Sequence, residues 1–154
     1  MNGHKSDIQL LLENAKTLKL SLEWLKHSMT LSTGIKDFEN PSIEQYDLLE
    51  SLTARYARVT DILFNKVFRN IARVEMSNAT TLLDVLLFME KTGLVGSVER
   101  ARYLKELRND IVHEYFLENI NELFENVFNH CHELVSLADR TNELIERLVV
   151  KYGI

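Results

Sequence analysis

The stretch INELFENVFNHCHELVSLADRTNELIERL, residues 120–148, places Ile120, Phe124, Val127, Cys131, Leu134, Ala138, Thr141, Ile145 and Leu148 at intervals that alternate between four and three. That is the spacing at which one stripe of an α-helix meets its neighbours, and only Thr141 interrupts its apolar character. It predicts a long helix to the C-terminus and requires other helices to cover the stripe.

Working outward, Ile8, Leu11, Ala15, Leu18, Leu22, Leu25 and Met29 repeat the pattern and predict a first helix over Ser6 to Leu31, ended by Thr33-Gly34. A second helix reads from Leu49 to Val74, with Asn40 before Pro41, or Ser42 with Gln45, available to cap its start. Its apolar face is widened by Ile62, Phe64, Phe68 and Ile71, so two neighbours must pack on it. Thr80-Thr81 with Asp84 opens a short, nearly all-apolar helix through Leu82 to Met89, which is buried or lies at an interface. Thr92-Gly93 stops it, and Ser97 with Glu99 caps a further helix over Val98 to His113. The expectation is one domain, residues 1–154, folded as an all-α, antiparallel up-and-down bundle of four long helices plus one short helix.

Composition agrees with that reading. The chain is 45% hydrophobic and 27% charged, with one proline and five glycines in 154 residues, so few helix breakers are present. A single cysteine, Cys131, excludes an intrachain disulfide, and residues 1–20 lack the apolar core of a secretory signal. No apolar run nears the roughly 20 residues that span a bilayer. These features point to a cytoplasmic protein without a membrane partner. The net charge of −5 argues against a generic nucleic-acid surface, yet residues 55–108 hold ten Lys/Arg against six Asp/Glu, a local +4.

Chemistry concentrates at Arg108, Asn109 and His113. At about 100° per residue, Arg108 falls within the stripe formed by Leu104, Leu107, Ile111, Val112 and Tyr115. A guanidinium so placed needs a carboxylate, a dimer groove or a bound anion, since burying it unpaired costs several kcal/mol or more. Asp61, set among apolar neighbours, is the first candidate partner. Asn109 and His113 are i and i+4 on a neighbouring face. An imidazole can take a proton from a ribose 2′-hydroxyl or give one to a leaving 5′-oxygen, and a guanidinium can hold phosphoryl oxygens whose charge rises in the transition state. Arg108 and His113 lie about 140° apart on an ideal helix, so either the helix kinks or ends near Ile111 to His113, or two subunits set their motif helices side by side and each supplies part of one site. The alternative is structural: Arg108 pairs with a core carboxylate and His113 is a helix-terminal cation. His130 and His132 point about 200° apart and cannot share an ion, so no metal site is expected.

Arg108 to Tyr115, Arg-Asn-Asp-Ile-Val-His-Glu-Tyr, resembles the Arg-Asn-spacer-His signature of the HEPN superfamily, and Tyr115 two residues past the His resembles its HepT-like toxin branch. The resemblance implies a HEPN-like helical domain and a metal-independent endoribonuclease without cofactors. It implies a homodimer in which Arg108 and His113 are catalytic and Asn109 shapes the site. It further implies a minimal nucleotidyltransferase antitoxin that transfers AMP to Tyr115. RNA would lie on the cationic face that includes Arg55, Arg58, Arg102 and Lys105. Other HEPN proteins are non-catalytic adaptors or substrate-binding partners of a nucleotidyltransferase, and that is the alternative function.

Overall fold

A computed structural model describes residues 2–114 and 119–153. Helix α1 spans Asn2–Ser32, α2 Ile43–Thr60, α3 Phe68–Val74, α4 Leu82–Lys91, α5 Val98–His113 and α6 Ile120–Tyr152. Between α2 and α3 the rod does not break but widens into a π-helical segment, Asp61–Val67, in which the Phe68 N–H reaches back five residues to the Leu63 carbonyl. The described chain is an all-α bundle.

Contacts at the two ends give the sense of packing. Arg55 meets Ser28, whereas His4 meets the Val74 carbonyl, so α1 runs antiparallel to the α2–α3 rod. The Lys26–Asp139 pair and the edge-to-face rings of His4 and Tyr152 set α1 antiparallel to α6 as well. The core that these helices enclose contains Leu18, Leu25, Leu49, Tyr56, Phe64, Phe68 and Phe124, all essentially inaccessible to solvent. The Tyr56 hydroxyl within it donates to the Leu104 carbonyl at 2.9 Å, which pins α5 to α2.

Capping follows the polar residues at the helix starts. Ser42 and Gln45 form the reciprocal capping box, and Pro41 lies outside the helix. Thr81 and Asp84 do the same for α4, and the Thr81 amide holds the Asp84 carboxyl below its ordinary range. Ser97 accepts from the Arg100 N–H, so α5 begins at Val98 and ends at His113, as its sequence predicts. The α4 helix is not wholly covered: Val85, Leu86 and Met89 are buried, while Leu83 and Leu87 remain exposed. A pair of bonds between Arg100 and Glu133 joins α5 to α6 at 2.6 and 3.0 Å, and the first effect of that bonding is to lower the Glu133 carboxyl.

Cys131 takes its predicted place in the α6 stripe and is 1% exposed. Burial pushes its thiol from 9.0 up to about 12. Because the folded value exceeds the unfolded one, the associated stability is complete below pH 9 and is lost as pH rises from there through about 12. Urea unfolding between pH 8 and 11 is expected to give a decline in stability that is shallower for Cys131→Ala than for the native chain; equal slopes would refute it.

Candidate functional site

Asp61 opens the π-helical segment beside α5, and Arg108 meets it there. Arg108 Nη2 donates to Asp61 Oδ2 at 2.9 Å. Nε lies 2.7 Å from Oδ1, near enough for charge pairing although its N–H is not aligned as a hydrogen bond. The two side chains remain 27% and 37% exposed, so the pair is partly solvated. Arg108 Nη1 makes only a long contact, 3.4 Å, with Asn109 Oδ1. A guanidinium has five N–H donors. Asp61 occupies one edge of it, and the Nη1 side is left with that single weak contact among the described residues.

The widened turn begins at Asp61. Ile62, Leu63 and Phe64 are consecutive and all buried. An ordinary helix turns about 100° per residue and carries three successive side chains across some 200°, more than one neighbour covers. Sequence periodicity marked the unusual width of this face but did not identify a π-helical turn.

His113 is elsewhere. It is exposed on the last turn of α5 and lines a cleft of about 340 Å³ with Asp110, Glu114, Asn119, Glu122, Leu123 and Asn126. Arg108 is not part of that lining, and five residues of helix turn it about 140° away from His113. The helix stops at His113, and Glu114 has the non-helical angles φ −80 and ψ 86. Tyr115 lies outside the described residues.

The cationic candidates divide into two groups. Arg102 and Lys105 line a small cleft of about 150 Å³ against Leu82, Leu83 and Leu86 of α4. By helical spacing they share the face of Asn109. Arg58 is exposed on α2, one turn before Asp61. Arg55 instead serves α1: it donates to Ser28 Oγ at 2.6 Å and to the Trp24 carbonyl at 3.3 Å, and its guanidinium stacks 5.1 Å from the Trp24 ring centre. The His130-Cys131-His132 cluster diverges, with Cys131 in the core, His132 exposed and His130 bonded to the Asn126 carbonyl. Among the described residues no helix is long and apolar enough to cross a membrane.

Comparison with protein-family models, curated proteins and solved structures finds no match to this chain. Partial exposure limits what the Asp61–Arg108 pair contributes to folding. A double-mutant cycle of Asp61→Ala and Arg108→Ala is expected to return a coupling of about 1 kcal/mol by chemical denaturation, between the values of surface and buried pairs. A coupling indistinguishable from zero would show that the pair is incidental.

Proposed function

We propose that the chain is a metal-independent endoribonuclease of the HEPN type, a HepT-like toxin that works as a homodimer. The observation that carries this reading is the state of Arg108: its guanidinium is oriented by Asp61 from one edge, partly open to solvent, and has donors to spare on Nη1. Such a group suits a phosphodiester, whose two non-bridging oxygens take donors from a fixed cation. Arg108 and His113 are turned about 140° apart on α5, so the reading takes a second copy to bring His113 to the phosphate that Arg108 holds.

In this reaction a neutral His113 imidazole accepts the proton of the ribose 2′-hydroxyl as the 2′-oxygen attacks phosphorus. The bond from phosphorus to the 5′-oxygen breaks, and that oxygen takes a proton from the imidazolium of the opposing copy. The products are a 2′,3′-cyclic phosphate and a 5′-hydroxyl. Arg108 stabilises the oxygens that gain charge on the way, and Asn109 keeps the guanidinium beside the helix end. Arg58, Arg102 and Lys105 extend the cationic contact with RNA. The cytoplasm is the compartment in which such a toxin meets its substrate. Control would come from a cognate minimal nucleotidyltransferase that transfers AMP to the Tyr115 hydroxyl, adding a bulky anion two residues from His113.

The exposed Leu83 and Leu87 of α4 favour a second reading, a non-catalytic adaptor that docks a nucleotidyltransferase. Incubating purified protein with total RNA separates the two. The ribonuclease is expected to produce fragments with 2′,3′-cyclic phosphate ends in the presence of EDTA. Arg108→Ala and His113→Ala, checked for native helicity by circular dichroism, should each slow cleavage by about 100-fold or more. Undiminished cleavage by both variants would remove the assignment, and no cleavage by the native protein would leave the adaptor.

A further inference from the structure

Helix α1 is apolar on two opposite faces. Its inner face, from Ile8 through Leu18 to Leu25, enters the core. On the other side, Leu10, Glu13, Thr17, Leu20, Trp24, His27 and Leu31 follow one another at steps of three and four. Leu10, Leu20, Trp24 and Leu31 on that stripe are 38%, 60%, 55% and 49% exposed. Solvent alone does not call for a heptad-spaced stripe on the outside of a bundle, whereas a second helix laid along it does.

Charge selects the occupant. Glu13 lies within the stripe and Glu23 on its flank beside Lys16, and none of the three has an ion-pair partner among the described residues. Glu13 and Glu23 are balanced by Lys16 and by the Arg55 guanidinium over Trp24, so the contact has no net positive charge to draw an anionic lipid surface. A parallel copy would set Glu13 against Glu13. A copy related by a twofold axis perpendicular to the helix, with Thr17 opposite Leu20, sets Lys16 of each chain against Glu23 of the other. The same register brings Glu13 to Trp24, where the stacked Arg55 guanidinium supplies the opposite charge. Shifting by one heptad, so that Leu20 faces Trp24, places Glu23 against Glu23 at the axis and is repulsive.

We infer that the outer stripe of α1 is a self-association surface on which two copies of this chain pair antiparallel, with Lys16 facing Glu23 and Glu13 facing Arg55. This surface is independent of the α5 contact required by the ribonuclease reading, and either can exist without the other. The contact is one helix pair in area, so it belongs with weak, transient interfaces.

Multi-angle light scattering at protein concentrations on the order of 100 µM suits a contact of that size. The native chain is expected to show twice the mass of Lys16→Glu and twice that of Glu23→Lys, both of which leave the core untouched. An equimolar mixture of the two variants restores opposite charges at both pairs and is expected to regain the native mass. Unchanged mass in the single variants overturns the surface, and failure of the mixture to recover overturns the antiparallel register. Flotation of the native chain with phosphatidylserine-containing vesicles, lost in Trp24→Glu, would assign the stripe to a lipid surface and overturn the proposal.

Discussion

An arginine on the inner stripe of a packed helix has to be met by a carboxylate, a partner's groove or an anion, and here Asp61 meets it from the neighbouring rod. Three features depend on this contact. It fixes α5 laterally at a second point beyond the Tyr56–Leu104 bond. It selects which guanidinium edge is spent within the chain and which stays open. It also falls at the first residue of the π-helical segment, where the turn is wide enough to bury Ile62, Leu63 and Phe64 in succession while Asp61 stays at the rim. Moving the carboxylate by one position would rotate it by about 100°, and the pair would be lost.

The local charge distribution acquires a clearer meaning once the helices are assembled. Residues 55–108 carry a net +4, but they do not form one surface. Arg55 is committed to Trp24 and Ser28, Arg100 to Glu133, and Arg108 to Asp61. The cationic groups that remain accessible near Asn109 are few, which fits a chain whose total charge is negative. Any anion recognised there must be met by a small number of directed donors more than by a diffuse field.

Much of this architecture was legible in the residues. The helix capped by Ser97 was expected over Val98 to His113, and it spans those residues. Thr81 with Asp84 likewise announces α4. Between Asn40 and Ser42 sequence left a choice, which Gln45 decides by bonding back to the Ser42 N–H. The start of α1 lies earlier than its apolar stripe indicates, because a tertiary contact of His4 with Val74 extends it through polar residues. The π-helical turn was legible only as an apolar face too broad for one partner. The outer stripe of α1 was missed because its leucines are interrupted by Glu13, Thr17 and His27, so it is weaker than the core stripe on the same helix. Asp61 was legible as the partner of Arg108 because it is the one acid in the middle of the second apolar face.

The length of α6, 33 residues, also has a consequence for how the chain matures on the ribosome. Tyr46 packs on Phe124, and the end of the second rod at Val74 and Glu75 is met by Tyr152 and Lys151. The hairpin of the first two rods therefore emerges with one side uncovered. At a synthesis rate of about 5–20 residues per second, the interval from Val74, where the second rod is complete, to Tyr152 lasts roughly 4 to 16 s. Through that interval the apolar flank of the nascent hairpin stays uncovered, and closing α6 over it completes the core.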